Sequence, residues 1–174
     1  YFTGFGSAKR IVFFDTLIEK LTADEIEAVL AHELGHFHYR HIAKRLVVTF
    51  LLSLGVLALL GWLIEQTWFY TSLGVVPNLT ANNHALALIL FFLVLPVFSF
   101  FFTPLSNVLS RKHEFQADAF AAKQASAPKL ISALVKLYQD NAATLTPDPV
   151  YSHFYASHPP ASQRIAQLAA YAKQ

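Results

Sequence analysis

The sequence predicts a mainly α-helical fold that contains a two-span transmembrane hairpin and at most one short edge strand. Its 174 residues are 55% hydrophobic and only 14% charged, and the mean hydropathy is +0.41. No Asp, Glu, Lys or Arg occurs in residues 46–64, or again in residues 66–110. Charge-free stretches of this length are typical of membrane-spanning helices rather than of soluble domains.

The two predicted spans cover residues 46–64 and about 85–109. As a helix, the first span would be about 28 Å long, close to the thickness of a bilayer's hydrocarbon core. Pro96 and Pro104 interrupt the second span, which a membrane helix tolerates when neighbouring helices satisfy the freed carbonyl groups. The alternative is a pair of very apolar core helices in a soluble protein, and two uninterrupted stretches of this length argue against it.

Basic residues lie at the outer ends of the hairpin, whereas the segment between the spans has none. Residues 65–84 contain one acid and no Lys or Arg. By the positive-inside rule, the hairpin tip faces away from the cytoplasm and both ends of the hairpin lie in it. The flanking basic residues are Arg40, Lys44, Arg45, Arg111 and Lys112.

The remaining elements are predicted in order along the chain. Residues 10–15 form a short β-prone run and predict an edge strand. Thr22-Ala23-Asp24-Glu25 matches a capping box, and the helix that it starts is expected to run directly into the first span. After the second span, one helix is expected to end near residue 126, and Pro128 suits the first turn of another. Four prolines break up a connector, residues 144–160, before a final helix from about 161 to 172.

The most informative motif is the pentapeptide His32-Glu33-Leu34-Gly35-His36. On a helix, residues four apart share a face, so His32 and His36 can offer imidazole nitrogens to one ion. Glu33 lies beside them, close enough to reach a water held by that ion and to take its proton. The pentapeptide therefore predicts two metal ligands and a general base.

A catalytic zinc site usually keeps three protein ligands and one water, so a third ligand is needed. Glu65 and His84 are excluded because they lie at the hairpin tip, on the other side of the membrane. His38 and His41 lie on the opposite face of a continuous helix from the two ligand histidines. They are therefore interpreted as surface or interfacial residues.

The third ligand is predicted in the segment Glu114-Phe115-Gln116-Ala117-Asp118, which begins just after the second span returns. Glu114 and Asp118 are four residues apart and share a helix face. Their spacing predicts Glu114 as the third metal ligand and Asp118 as a hydrogen-bond acceptor that fixes a ligand imidazole. The alternative is an ordinary amphipathic helix face with solvated acids.

Several longer strings follow one another in an order that is far more specific than the pentapeptide alone. They are HELGH at 32–36, the two-span hairpin, RKHEFQADAFA at 111–121 and SHPPASQRI at 157–165, preceded by YFTGFGSAKRIVFFDTLI at 1–18. Together they resemble the Ste24-type CAAX prenyl endopeptidases of the M48 metallopeptidase family. The resemblance implies an integral-membrane helical metalloprotease of the gluzincin type, with residues 1–174 as a single M48 catalytic domain.

The same resemblance assigns roles to the site residues. It implies one Zn²⁺ per chain, bound by His32, His36 and Glu114, with Glu33 as the general base. Asp118 matches the family's downstream aspartate, which is sometimes described as a proton donor.

His158 and Arg164 fall on the SHPP…R part of the resemblance. The family implies that this histidine helps to stabilise the tetrahedral oxyanion and that the arginine braces nearby groups. A positioned donor there is physically sensible. Without the resemblance, His158 is equally well a helix N-terminal residue before two prolines, and His153 competes with it for the role.

The predicted function is a zinc-dependent membrane endopeptidase that hydrolyses peptide bonds as the CAAX proteases do. Its expected partners are the lipid bilayer and a peptide or protein substrate that is prenylated or membrane-associated. A net charge of +2 does not suggest nucleic acid. We expect a multi-pass protein with its active site on the cytoplasmic side, in the inner membrane of a bacterium or the endoplasmic reticulum of a eukaryote.

Two other functions stay open. One is an HtpX-like membrane quality-control protease, which would share the zinc ligands. The other is a non-catalytic membrane scaffold that keeps its zinc site as a structural clamp, although the intact Glu33 argues against it. Because the chain opens at Tyr1 without a targeting segment, we expect it to be the C-terminal catalytic part of a longer membrane protein.

Overall fold

The computed structural model of the chain describes residues 2–3, 10–78, 80–140 and 147–173. Within these ranges the chain is mainly α-helical, as predicted. The elements are β1 Phe2–Thr3, β2 Arg10–Ile11, α1 Asp15–Lys20, α2 Ala23–His38, α3 His41–Ile64, α4 Thr67–Ser72, α5 His84–Gln124, α6 Ala127–Asp140, α7 Pro149–Tyr155 and α8 Ala161–Tyr171.

The chain divides into two compact units. The first unit combines residues 1–42 with residues 104–174, and the second unit is residues 43–103. The first unit therefore contains α2, the C-terminal half of α5 and the helices that follow it. The second unit contains most of α3, α4 and the N-terminal half of α5.

The β-structure near the start of the first unit is shorter than predicted. β1 and β2 pair in antiparallel fashion, with Phe2 opposite Ile11 and Thr3 opposite Arg10. The predicted strand over residues 10–15 is wrong beyond Ile11, because Asp15 already begins α1. An acidic residue in a first helical turn is favoured by the helix dipole, which explains this early start.

The capping box predicted at the start of α2 forms. The backbone N–H of Thr22 donates a hydrogen bond of 2.7 Å to Glu25 Oε2. The other carboxylate oxygen of Glu25 accepts from Ser132 Oγ at 2.7 Å, and Lys136 Nζ lies 2.7 Å from Oε2. Glu25 therefore takes part in the capping box of α2 and also ties the start of this helix to α6.

The prediction that α2 continues directly into the first span is wrong. α2 ends at His38, and α3 begins at His41. Between them, Arg40 has φ +55°, the one positive φ of a non-glycine residue in the described ranges. A left-handed residue cannot continue a right-handed helix, so the helix axis is broken at this point.

The core of the first unit is built mainly from small side chains. Alanines of α2, α5 and α6 pack with leucines of α6 and α8, which lets the helices approach closely. α6 supplies two of these leucines. The buried members are Ala28, Ala31, Ala121, Ala127, Leu130, Leu134 and Leu168.

The second unit has a small core near the turn between its long helices and large exposed apolar surfaces elsewhere. The core comprises Leu60, Leu63, Phe69, Tyr70, Ala87, Leu90 and Phe91. Tyr70 also donates a hydrogen bond of 2.9 Å from its hydroxyl to the carbonyl oxygen of Ile64. α3 and α5 are long and apolar enough to cross a membrane, and only 11% and 17% of their most apolar windows are buried. Such exposure is unlike that of core helices in a soluble protein.

The C-terminal helices largely follow the prediction. α6 begins at Ala127 and α8 runs from Ala161 to Tyr171, within one residue of the predicted end. The predicted connector contains an additional helix, α7, whose N-cap Asp148 accepts a hydrogen bond from the backbone N–H of Tyr151 at 2.8 Å. Pro149 occupies the first turn of α7, where proline is tolerated. Residues 144–146 of the connector lie outside the described residues.

Candidate metal centre and active site

Three side chains that sequence analysis predicts as metal ligands meet in the first unit. His32 and His36 project from one face of α2, and Glu114 projects from α5. His36 Nε2 lies 3.2 Å from His32 Nε2 and 3.4 Å from Glu114 Oε1. His32 Nε2 lies 3.6 Å from Glu114 Oε2. One ligand atom of each residue can thus point at a common centre.

The donor set fits a zinc ion. Atoms bound tetrahedrally at about 2.0–2.1 Å lie roughly 3.3–3.4 Å apart, and the three measured separations are close to this value. Imidazole nitrogen and carboxylate oxygen are ordinary zinc donors, and two histidines with one glutamate leave a fourth position open in a catalytic site. His32 and Glu114 are buried and His36 is half-buried.

Asp118 and Arg164 lie behind His32. Asp118 Oδ1 is 2.9 Å from His32 Nδ1. The other ring nitrogen of His32, Nε2, faces His36 and Glu114, and we call His32, His36 and Glu114 the ligand cluster. Arg164 of α8 donates two hydrogen bonds to the same carboxylate, from Nη2 to Oδ1 at 2.6 Å and from Nε to Oδ2 at 2.8 Å. The Asp118 side chain is fully buried. Both oxygens of Asp118 therefore have hydrogen-bond partners, and Oδ1 also faces the imidazole of His32.

Glu114 and Asp118 are held in their charged forms. Both residues lie on α5 beyond residue 109, the end of the predicted span. Burial opposes ionisation of Glu114, but hydrogen bonds with His158 and His36 outweigh it and keep the pKa of Glu114 well below its usual range. Burial likewise opposes ionisation of Asp118, but the hydrogen bonds of Arg164 and His32 keep its pKa low. An ionised pair of carboxylates suits a site that binds a cation.

His158 lies beside the ligand cluster, on the segment that precedes α8. Its Nδ1 is 3.2 Å from Glu114 Oε2, and its side chain is 64% exposed. The hydrogen bond with Glu114 raises the pKa of His158, and the negative charges of Glu114 and Glu33 add to this shift. The exposed ring of His158 therefore lies against a predicted metal ligand.

His153, the alternative to His158 from sequence, is an exposed residue of α7. It lines a different cleft, together with Arg111 and Tyr171. His158 instead lines an open cleft of about 370 Å³, shared with Tyr138, Ser152 and Tyr155. Of the two histidines, only His158 has a measured contact with the ligand cluster.

His41 does not lie where a continuous helix would place it. The predicted position is on the opposite helix face, but His41 is buried, with 4% of its surface exposed, and its Nδ1 lies 3.0 Å from His36 Nδ1. The helix break at Arg40 explains the error, because a helical wheel applies only to an unbroken helix. His38, by contrast, is exposed as predicted.

The chain is similar to known proteins over almost its whole length. The model of Peptidase family M48 matches residues 1–172. CAAX prenyl protease 1 of Saccharomyces cerevisiae is 34% identical over 183 residues, covering 97% of this chain and 40% of the yeast protein. The CAAX prenyl protease 1 homologue of Oryza sativa subsp. japonica is 38% identical over 176 residues, covering 97% of this chain and 39% of that protein.

A solved structure shows the same similarity. The crystal structure of S. mikatae Ste24p superposes with a TM-score of 0.83 at 34% sequence identity, covering 97% of this chain and 42% of that chain. The present chain thus spans about two fifths of the length of the relatives that it matches. The family match includes the pentapeptide at residues 32–36, Glu114 and Arg164. The chain belongs to Peptidase family M48.

Proposed function

We propose that this chain is the catalytic domain of a zinc-dependent membrane endopeptidase of the Ste24 type, with residues 1–174 as one domain. The observation that carries the proposal is the meeting of His32, His36 and Glu114, with the exposed ring of His158 in contact with Glu114. Two relatives bear the name CAAX prenyl protease 1 or homologue. We therefore propose a prenylated peptide or protein as the substrate.

One Zn²⁺ held by His32, His36 and Glu114 would polarise the scissile carbonyl and lower the pKa of a water at the fourth position. Glu33 takes a proton from the attacking water and delivers it to the leaving amine. His158 donates a hydrogen bond to the oxyanion that develops on the carbonyl oxygen. The high exposure of His158 leaves its ring accessible to a substrate.

We assign Asp118 and Arg164 to positioning rather than to proton transfer. The Asp118 carboxylate is fully buried and accepts two hydrogen bonds from Arg164, so it has little access to a peptide in the cleft. Its contact with His32 Nδ1 fixes the ring so that Nε2 faces His36 and Glu114, where an ion would bind. Spacing predicts this positioning role for Asp118, whereas the role of a proton donor comes from the family resemblance.

We propose that residues 46–64 of α3 and residues 85–109 of α5 cross the bilayer. Many large apolar side chains are exposed on both helices, which supports a membrane location, because exposing so large an apolar surface to water is unfavourable. The basic residues at the outer ends of the hairpin favour an active site on the cytoplasmic side. The membrane that these helices cross would be that of the endoplasmic reticulum in a eukaryote and the inner membrane in a bacterium.

The proposal is tested with the complete protein that contains this chain, purified in detergent. We expect zinc close to one per chain, hydrolysis of a prenylated CAAX peptide, and loss of hydrolysis on chelation with recovery on adding zinc. The Glu33→Gln variant should keep its zinc and lose hydrolysis by about 10²–10⁴-fold.

Other outcomes separate the alternatives. Equal hydrolysis of unprenylated, misfolded membrane substrates would favour the HtpX-like function. Bound zinc without hydrolysis of any peptide would favour the scaffold. Substantial hydrolysis by Glu33→Gln would exclude the mechanism proposed for this site.

A further inference from the structure

We propose that His41 is a positioning residue for the metal ligand His36, and that Gln116 in turn fixes His41. This inference rests on the proposed function, since it concerns the second histidine of the zinc site. His36, His41 and Gln116 form a continuous chain of hydrogen bonds, which we call the His36 relay. The relay gives His36 the same kind of support that Asp118 gives His32.

The contacts of the relay are short and well directed. His36 Nδ1 lies 3.0 Å from His41 Nδ1. His41 Nε2 lies 2.9 Å from Gln116 Oε1, across 75 residues of sequence. Each ring nitrogen of His41 therefore has a separate partner, one on the ligand histidine and one on α5.

These contacts determine where the protons lie. His36 must present a bare Nε2 to an ion, so its neutral ring carries the proton on Nδ1 and donates there. His41 Nδ1 must then accept, which places the proton of His41 on Nε2. That N–H donates to Gln116 Oε1, which can only accept. A single arrangement of protons satisfies every atom of the relay.

The surroundings hold the His41 ring in this orientation. Its ring stacks on His113, with centroids 4.0 Å apart and planes 12° apart, and also on Tyr39 at 5.6 Å and 19°. His41 is 4% exposed, so water does not readily replace either partner. The break at Arg40 is what turns this residue from the far side of α2 toward His36.

The relay predicts a defined effect on metal binding. Partners that orient a ligand histidine are typically worth 10- to 100-fold in metal affinity. We therefore expect zinc to bind about 10- to 100-fold more weakly to His41→Leu, which cannot accept from His36. His41→Asn should bind zinc more tightly than His41→Leu, because its amide oxygen can take the place of Nδ1 as the acceptor.

A double-mutant cycle separates the relay from general packing. Zinc affinity of the complete protein is measured by competition with a chromophoric chelator, and Tm is measured alongside it. Gln116→Leu should weaken zinc binding when His41 is present and should add no further loss in the His41→Asn background, because the asparagine is too short to reach residue 116. An effect of Gln116→Leu on packing alone would persist in both backgrounds.

The outcomes are distinguishable from failure of the proposed function. If the wild-type protein binds no zinc, the proposed function itself is wrong. If the wild type binds zinc and His41→Leu binds it equally well, only the relay is overturned. If His41→Leu does not fold, the cycle between Gln116→Leu and His41→Asn still decides, and additive losses in that cycle overturn the relay.

Discussion

Gly35 of the pentapeptide lies directly against the backbone of Ala117. A Cβ atom at position 35 would be 2.9 Å from Ala117 Cα and 3.2 Å from its carbonyl oxygen. Because both atoms belong to the backbone, neither can move aside as a flexible side chain would. The absence of a side chain at position 35 thus allows α2 to lie close enough to α5 for Glu114 to meet the two histidines.

The Gly35→Ala variant is expected to separate these two helices. Overpacking of a close contact costs about 1–3 kcal/mol, so Tm should fall and zinc should bind more weakly. Gly61→Ala is the matched control, since a Cβ there would meet no heavy atom of the described residues within 4 Å beyond its chain neighbours and the nearby backbone of its own helix. A Gly35→Ala protein as stable as the Gly61→Ala protein would contradict the close contact.

Arg164→Met should cost both stability and zinc affinity. It leaves the buried Asp118 carboxylate without its main partner, a change that typically costs about 3–5 kcal/mol. Because Asp118 then no longer fixes His32, zinc affinity should fall about 10- to 100-fold. Thermal unfolding and chelator competition measure the two effects.

An exposed ion pair provides the control for Arg164. Lys129 lies 2.9 Å from Asp24, and their side chains are 45% and 65% exposed. Exposed pairs of this kind contribute little, so Lys129→Met should leave Tm and zinc affinity unchanged. Equal losses in the Lys129→Met and Arg164→Met proteins would show that burial of the Asp118 pair has no special effect.

His158→Ala should impair catalysis without removing the metal. Loss of one oxyanion donor typically lowers kcat by about 10²–10³-fold, whereas zinc content should stay at the wild-type level. His153→Ala should hydrolyse the peptide at the wild-type rate, because His153 lines a different cleft. The reverse pattern of activities would assign the role to His153.

Stability should depend on pH through Glu25. Hydrogen bonds from Lys136, then Ser132 and the backbone of Thr22, lower the pKa of Glu25 from 4.5 to about 2. A carboxyl group with a lowered pKa in the folded state stabilises the fold above its unfolded pKa, and this contribution is lost as it becomes protonated. The Tm advantage of wild type over Glu25→Gln should therefore be full above pH 5 and shrink from about pH 4.5 toward pH 2. An advantage that does not change with pH would contradict this role.

Much of the site could be predicted because its signals are local. His32 and His36 are four residues apart on one helix, and Glu114 and Asp118 are four apart on another, so helical periodicity alone places each pair on one face. The long charge-free stretches similarly predict α3 and the first half of α5. The Thr22–Glu25 capping box correctly predicts the start of α2.

The features that were missed depend on backbone geometry or distant contacts. Arg40 adopts a positive φ although neither Gly nor Asn marks the position, so the break before His41 has no sequence signal. The contact of His41 with Gln116 spans 75 residues and follows only from that break. A smaller error concerns Asp15, the predicted end of a strand. It instead begins α1, where an acidic residue in the first turn is favoured by the helix dipole.

The order of these residues along the chain also sets an order in time. His32 and its distant neighbour Arg164 are 132 residues apart, and both long apolar helices are synthesised between them. At about 5–20 residues per second, a ribosome needs roughly 7–26 s to cover this distance. During that interval the growing chain carries two histidines and a glutamate of the pentapeptide without their supporting arginine. The site is therefore completed only after the hairpin has been made.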